Sequence, residues 1–346
     1  MTVSGRPSIP EAADMTRYLV NRVLGMLLVL FLVALFTYMV FFLLSPDPAV
    51  QICGKTCTPE RIDQIRANLG LDDPFPVQFL HFLEGLFLGR DYGTGASAVH
   101  CSAPCLGYSF QSAQVVTDMI VQRLPVTAVV AIGAAVLWLL AGVIGGLLSA
   151  VREGRFTDRF ITALTLGGMS VPNYVLALAL QYVFVVQLQW LPFPQAVPFA
   201  DDPGQWFLNF ILPWTVLAIG YASSYTRLTR ANVIDTLSEN FVRTARAKGL
   251  RPHLVWRRHA LRPALTPIVT IAGMDFAGLL GGALITETVF GINGVGKLAA
   301  DSITKNDQPV IMAVTLLAAF FVVVGNMVVD LLYSAIDPRV RAGATT

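Results

Sequence analysis

The most distinctive group of charged side chains lies between residues 227 and 262, which hold nine Lys and Arg residues against two acidic ones. Within this stretch, Asn240 is placed to cap a short helix and Gly249 is placed to end it. Small side chains on such a helix allow another surface to approach the backbone closely. We therefore predict a helix that contacts a partner through Asn240, Arg243, Thr244, Ala245, Arg246, Ala247, Lys248 and Gly249. The alternative is an ordinary positively charged loop beside a membrane.

Three polar residues lie in or beside strongly apolar segments. Asp275 stands near the middle of one such segment, where a charge that faces lipid costs about 2.5–3.5 kcal/mol on insertion scales. We expect it to contact a substrate amine in a water-filled path or to bond a neighbouring helix. Asn173 follows Pro172, so it either lines a cavity opened by a kink or satisfies a freed carbonyl. Glu287 either lines the mouth of the path or is a solvated or locally bonded residue at a helix end.

Four cysteines form two Cys-x3-Cys pairs in one long polar loop: Cys53, Cys57, Cys101 and Cys105. Disulfides are the prediction, because the loop is expected to face an oxidising compartment. A four-thiolate zinc site is the alternative, although the pair spacing is wider than zinc sites usually have. Four cysteines allow three pairings, local or crossed, and the spacing does not choose among them.

Sequence motifs of catalysis are missing from this chain. The sequence has no Gly-x-x-x-x-Gly-Lys-Ser/Thr phosphate loop, no His-Glu-x-x-His and no Gly-x-Ser-x-Gly. We therefore expect a chain that is not itself an enzyme and that binds no metal or cofactor.

Composition indicates that a membrane-embedded scaffold positions these residues. Of the 346 residues, 55% are hydrophobic and 13% are charged, whereas soluble domains carry about 25% charged residues. The net charge of +2 is too small to favour nucleic acid as a partner. A helix that crosses about 30 Å of hydrocarbon needs about 20 apolar residues. We predict an all-α integral membrane protein with six spans: Val23–Leu44, Val126–Ala150, Phe160–Val186, Phe207–Thr226, Pro267–Ile285 and Val310–Val329.

Basic residues concentrate on alternate short loops, which predicts the orientation of the chain. They lie before the first span, between the second and third, in 227–262 and after the sixth, so both termini are predicted to be cytoplasmic. The predicted organisation is a flexible N-terminus at 1–16, a first span at 17–45, an extracytoplasmic cap region at 46–122, a transmembrane core at 123–338 that includes loop 227–262, and a tail at 339–346.

Several segments, in order along the chain, resemble the dipeptide, oligopeptide and nickel branch of the ABC importer permeases. Arg243-Thr244-Ala245 with the following Gly249 resembles the EAA loop of those permeases, although the Glu is absent. The segments around both cysteine pairs depart from the pattern of that branch and resemble insertions. The other similar segments are Thr16–Arg22, Leu43–Ala49, Ile65–Asp72, Arg90–Thr94, Leu280–Phe290 and Asp330–Arg339.

This resemblance implies a type I importer permease fold of six transmembrane helices in a bacterial inner membrane. It also implies partners: a second homologous permease, one or two cytoplasmic ABC ATPase subunits that bind ATP and Mg, and an extracytoplasmic substrate-binding protein or lipoprotein. The helix Asn240–Gly249 would be the coupling helix that enters a groove of the ATPase. Peptide-type substrates are implied, with dipeptides, longer peptides and nickel chelates left open.

A secondary transporter that works alone on small polar solutes is the alternative function. Such transporters usually contain internal repeats, broken helices and several ionisable residues inside the membrane. This sequence has one evident mid-span charge, Asp275, and no obvious repeat. A membrane-embedded enzyme is a further alternative, but it would need a catalytic constellation that the sequence does not contain.

Overall fold

The computed structural model describes residues 12–43, 49–50, 58–69, 71–92, 99–194 and 197–336. Helices make up most of this part of the chain, and two short hairpins precede the core. The helices are α1 (Ala12–Leu43), α2 (Pro59–Leu69), α3 (Phe75–Leu88), α4 (Val116–Val151), α5 (Phe156–Ser170), α6 (Asn173–Gln181), α7 (Pro203–Ser238), α8 (Asn240–Ala247), α9 (Pro252–Leu254), α10 (Leu261–Leu280), α11 (Leu284–Val289), α12 (Val295–Lys305) and α13 (Gln308–Ile336). The strands are β1 (Arg90–Tyr92), β2 (Val99–Cys101), β3 (Tyr108–Ser109) and β4 (Gln114–Val115).

Five of the described helices are long and apolar enough to cross a membrane, namely α1, α4, α7, α10 and α13. Helices α5 and α6, with the π-helical segment Tyr182–Gln187 that continues α6, are together long and apolar enough for a sixth, broken span, and this pair is bent by 98°. The prediction of an all-α, six-span membrane protein is confirmed when the bent pair is counted as one span. The predicted span was too short for α4, which has 36 residues. Helix α7 also has 36 residues and continues past its predicted span to Ser238, as the apolar face from Leu228 to Phe241 predicts.

The third crossing was predicted as one helix, and the structure corrects this. The break falls at Val171, which has an extended backbone (φ −93°, ψ 122°), and Pro172 follows it. A proline ring disfavours the helical conformation of the residue before it and removes a backbone donor, so the helix stops at Ser170 and restarts at Asn173. The fifth span is shifted relative to the prediction, because α10 begins at Leu261 instead of Pro267 and ends at Leu280 instead of Ile285.

Helices α4 and α7 pack closely along their length and form the centre of the main apolar cluster. Glycines of α4 make this approach possible, because a Cβ at Gly142 or Gly146 would lie 2.5 Å from Tyr225 or Thr229, respectively. The indole N–H of Trp214 on α7 donates to the Val129 carbonyl on α4 at 3.0 Å. The two helices therefore form a tightly joined pair on which the other elements are mounted.

The described residues from 58 to 115 form a cap at one end of the bundle, which we name the cap end. Helix α3 packs on α1 and α13 through a cluster that includes Phe79, Phe82, Tyr38 and Met312. Strands β1 and β2 pair antiparallel with Arg90 opposite Cys101, and β3 pairs antiparallel with β4 directly before α4 begins. We name the opposite end, where α8 lies, the α8 end.

Candidate functional site

The predicted basic helix is present as α8, and its start differs from the prediction by one residue. Helix α7 ends at Ser238, and Glu239 adopts an extended backbone (φ −66°, ψ 150°) between the two helices. The Glu239 carbonyl accepts bonds from the amides of Val242 and Arg243, both at 3.1 Å. Glu239 is thus the N-terminal cap, without a side-chain capping bond, and Asn240 is the first helical residue instead of the cap.

Helix α8 has one buried face and one exposed cationic face. Val242 and Ala245 are buried and pack against Val255 and Leu237. The small residue Ala245 therefore faces the body of the chain and is not available for close approach by another surface. The exposed residues of the predicted contact set are Asn240, Arg243, Thr244, Arg246, Ala247, Lys248 and Gly249.

The C-terminal end of α8 requires glycine for its backbone conformation. Gly249 has φ +76°, which side chains of L-residues rarely adopt. Its amide donates to the Arg246 carbonyl at 2.9 Å, and the Leu250 amide donates to the Ala245 carbonyl at 3.4 Å. These two bonds form the Schellman arrangement that ends many helices. A Cβ at Gly249 would meet no atom within 4 Å, so the constraint is conformational and not steric crowding.

A cavity of about 500 Å³ opens beside the break between α5 and α6. Its walls come from both sides of the break, from the middle of α7, from the end of α10 and from α11. The polar side chains of the lining are Asn173, Tyr221, Ser224 and Thr286. The structure thus places Asn173 on a cavity next to a kinked span, as one of the two interpretations of the sequence proposed.

The Asn173 side chain packs against α7 at Gly220. A Cβ at Gly220 would lie 3.1 Å from the Asn173 Oδ1 atom. This approach positions the Asn173 amide over α7, beside the Tyr221 ring, which stacks on Trp138 with 4.6 Å between ring centroids. Tyr221 and Ser224 were not singled out from the sequence, because polar residues on an apolar helix give no indication of which neighbour they meet.

Asp275 lies between α10 and α7 and makes a hydrogen bond between these helices. The Tyr225 hydroxyl donates to Asp275 Oδ2 at 2.6 Å, and the Asp275 side chain is only partly buried. Asp275 does not belong to the lining of the cavity beside Asn173. The helix–helix bond expected as one alternative is therefore present, while a direct contact with substrate stays a prediction.

Glu287 is a hydrogen-bonded residue of the short helix α11, as one of the sequence alternatives proposed, but it is buried. Its side chain is 0% exposed, so it neither is solvated nor faces the cavity, and the expectation of a residue at the path mouth is corrected. Its carboxylate accepts bonds from the Thr127 hydroxyl at 2.9 Å, the Lys297 amide at 3.0 Å and the Ala283 amide at 3.3 Å. Thr127 in turn accepts the Val295 amide at 2.8 Å. We name Glu287, Thr127, Ala283, Val295 and Lys297 the Glu287 cluster.

The Glu287 cluster explains the glycine at position 294. A Cβ at Gly294 would lie 2.3 Å from Glu287 Oε2, so a side chain there would displace the carboxylate. A carboxylate beside the first turn of α12 also interacts favourably with the unpaired amides of that helix end. The cluster fixes α11 and the start of α12 to α4, and it thereby fixes the wall that α11 gives to the cavity.

One of the predicted disulfides lies within the described residues. Cys101 and Cys105 are joined to each other, which is the local pairing, and both side chains are buried in the cap. Their thiols are therefore not available to ligate zinc in this structure. Cys53 and Cys57 lie outside the described residues.

Comparison with known proteins was informative over nearly the whole chain. Residues 15–131 match the family described as the N-terminal part of a binding-protein-dependent transport system membrane component, and residues 142–342 match the binding-protein-dependent transport system inner membrane component. The probable peptide ABC transporter permease protein y4tP of Sinorhizobium fredii is 36% identical over 324 residues, which cover 94% of this chain and 99% of the relative.

Two further relatives and one solved structure complete this comparison. A putative peptide transport system permease protein of Brucella abortus and the glutathione transport system permease protein GsiC of Pectobacterium atrosepticum are each 36% identical over 327 residues, covering 94% of this chain and 99% of each relative. A structure of the MetNI methionine ABC transporter in inward-facing conformations aligns with a TM-score of 0.49 at 17% identity, covering 64% of this chain and 97% of that one. That likeness is too distant to carry an argument.

The matched families span both the α1–cap region and the core, and the relatives match from end to end. The six crossings, the short basic helix α8 and the cavity beside α7 agree with this assignment. The chain therefore belongs to the family of binding-protein-dependent transport system inner membrane components, the permease subunits of ABC transporters.

Proposed function

We propose that this chain is the membrane-spanning permease subunit of an ATP-driven importer of di- or oligopeptides or peptide-like ligands. One observation carries the mechanism: helix α7 forms a wall of the cavity through Gly220, Tyr221 and Ser224 and leads at Ser238 directly into α8. The substrate class is supported by the relatives, which are described as peptide and glutathione permeases.

The exposed cations of α8 are the proposed contact with an ABC ATPase subunit. Arg243, Arg246 and Lys248 point away from the body, while Val242 and Ala245 anchor the helix to it. A movement imposed on α8 is therefore passed to α7 and to the cavity wall. ATP and Mg would be bound and used by the ATPase subunits.

The arrangement of the ends supports the placement of the remaining partners. The α8 end and both termini are assigned to the cytoplasm of a bacterial cell, because short basic segments flank the spans there. The cap end then faces a substrate-binding protein outside the membrane. A second homologous permease would supply the other half of the path, to which Asn173 and Asp275 contribute polar groups.

Reconstitution into liposomes tests this function. The chain is co-expressed with its neighbouring permease and ATPase genes, and the substrate-binding protein is added on the cap-end side. The complex is expected to take up radiolabelled dialanine or glutathione only when ATP is present on the ATPase side of the membrane. Gly249→Val forces a β-branched residue to positive φ, which costs about 1–3 kcal/mol, and should lower ATPase recovery with the complex by about tenfold.

Gly291→Val is the matched control for this experiment. Gly291 also has positive φ (+67°), and a Cβ there would meet no atom within 4 Å, but it lies at the cap end, near α11. The control should leave ATPase recovery unchanged. Uptake by the chain alone, without nucleotide, would instead favour a secondary transporter, and normal ATPase recovery with Gly249→Val would contradict the coupling role of α8.

A further inference from the structure

A second cluster of polar residues lies at the α8 end, around the Asp158 carboxylate. The guanidinium of Arg230 forms a two-point contact with it, Nε to Oδ1 at 2.8 Å and Nη2 to Oδ2 at 2.9 Å. The Ser149 hydroxyl also donates to Asp158 Oδ1, and the Gly154 amide donates to Oδ2 at 2.9 Å. We name Asp158, Arg230, Ser149 and Gly154 the Asp158 cluster.

The Asp158 cluster is protected from water more than a surface ion pair is. The Asp158 side chain is 7% exposed and that of Arg230 is 31% exposed. Two parallel hydrogen bonds between a guanidinium and a carboxylate fix the relative orientation of the two groups, which a single contact does not. One carboxylate thus joins the end of α4, the turn before α5, and α7.

Both helices that meet at the Asp158 cluster run on to the cavity. From Asp158, α5 leads to Gly168 and Met169 on the cavity wall, over about 15 Å of helix rise. From Arg230, α7 leads back to Ser224 and Gly220 on the same cavity, over about 9–15 Å. In the other direction Arg230 lies about two helical turns from the end of α7, where α8 follows.

The two helices are also in close contact at the cavity. A Cβ at Gly168 would lie 2.5 Å from the Ser223 Oγ atom of α7. Helices α5 and α7 therefore touch near the cavity, and the ion pair between Asp158 and Arg230 joins them at the α8 end. If the charge contact were lost, α7 could tilt with α8 without carrying α5 by the same amount.

We infer that Asp158 and Arg230 are positioning residues that make α5 follow α7 when α8 moves, so that energy from the ATPase changes both walls of the cavity together. This inference rests on the proposed function. It assigns the pair a part in coupling that is separate from ATPase docking, because both residues lie outside α8.

The test measures peptide taken up per ATP hydrolysed by the complete complex in liposomes. Asp158→Asn removes the charge, and Arg230→Lys keeps the charge but loses the two-point contact. Both complexes are expected to retain ATPase subunits and ATP hydrolysis, while the uptake-to-hydrolysis ratio falls by at least about fivefold for Asp158→Asn and by less for Arg230→Lys. The exchange Asp158→Arg with Arg230→Asp should recover part of the ratio.

Glu153→Gln is the control, because Glu153 is an exposed neighbour 3.8 Å from Arg230 outside the two-point contact. Its ratio should match that of the unaltered complex. If the Asp158→Asn complex does not assemble, the Arg230→Lys complex alone tests the inference. The inference is overturned if the uptake-to-hydrolysis ratio of the assembled variants is unchanged, including the case in which uptake and hydrolysis fall in proportion. Absence of ATP-dependent uptake by the unaltered complex would contradict the proposed function itself, and the inference would fall with it.

Discussion

The Asp158 and Glu287 clusters place a carboxylate at each end of the bundle, and they use it differently. Asp158 meets a cationic side chain, Arg230, that reaches it from another crossing. Glu287 is fully buried and meets the Thr127 hydroxyl and two backbone amides of its own neighbourhood. Both carboxylates join three segments of the chain, but only one does so through an ion pair.

This difference indicates which end of the bundle can move. The two-point contact between Arg230 and Asp158 keeps α5 and α7 in a fixed relation, so these two helices move together when α8 moves. The Glu287 carboxylate instead holds α11 and the start of α12 to α4 through the Thr127 hydroxyl and two backbone amides. The cap end, held by the Glu287 cluster, is therefore expected to be the fixed end, and the α8 end, held by the Asp158 cluster, the one that moves.

The largest expected effect is on the fixed end. Glu287→Ala would leave the Ala283 and Lys297 amides and the Thr127 hydroxyl without their buried acceptor, which should lower the free energy of unfolding by about 3 kcal/mol or more. Thermal unfolding of the purified chain in detergent would measure the loss. The exposed neighbour Thr288→Ala should have no effect, and a Glu287→Ala protein with unchanged unfolding temperature would contradict the comparison.

An intermediate effect is expected midway between the ends, at the Tyr225–Asp275 bond. Tyr225→Phe removes one hydrogen bond, worth about 1 kcal/mol, and should reduce uptake about twofold. Asp275→Leu also removes the charge and should reduce uptake about tenfold. Initial rates of labelled dialanine uptake would measure both changes. Equal rates for the two variants and their double variant would show that Asp275 acts only through Tyr225 and has no contact with the path.

The smallest effect concerns Asp307, which accepts a bond from the Ser109 hydroxyl of the cap. Burial raises the pKa of the Asp307 carboxyl above its ordinary value, although the Ser109 bond acts in the opposite direction. The folded chain thus binds this proton more tightly than the unfolded chain does. The group favours folding below its ordinary pKa of about 3.9, and this contribution is lost as pH rises through the folded-state pKa.

Asp307→Asn tests this pH dependence at the cap end. The variant should gain stability relative to the original chain as pH rises from about 4 to about 7, by roughly 1 kcal/mol or less. Unfolding temperatures across that range would measure the gain, with the exposed acid Asp301→Asn on α12 as the control. A difference that grows toward acid pH would mean that Asp307 is stabilised in its charged form.

Hydrophobicity was sufficient to predict the crossings, because burial in lipid imposes one requirement on every span. Hydrophobicity did not show that the third crossing is broken; the signal for the break was Pro172, which disfavours a helix in any surroundings. The start of α4 was less predictable, because this helix begins at Val116, ahead of the apolar stretch, in a segment that contains Asp118 and Arg123.

Contacts between distant segments account for what the sequence did not reveal. Glu287 precedes several glycines, a composition typical of an exposed turn, yet Gly294 is required because the Glu287 carboxylate fills the space where its Cβ would lie. Its partner Thr127 is 160 residues away, and Tyr225 is 50 residues from Asp275. Pairings of this kind are set by the packing of helices, which a single sequence does not specify.

The surface of α4 is recessed at Gly142 and Gly146, where no side chain is present, and these recesses limit how the helices can move. Because Tyr225 and Thr229 occupy them, α4 and α7 cannot slide lengthwise past one another without a collision between side chain and backbone. Translation along their common axis is blocked, while pivoting of the pair as one unit is not. A displacement of α8 should therefore tilt α4 and α7 together and should not translate α7 along its own axis.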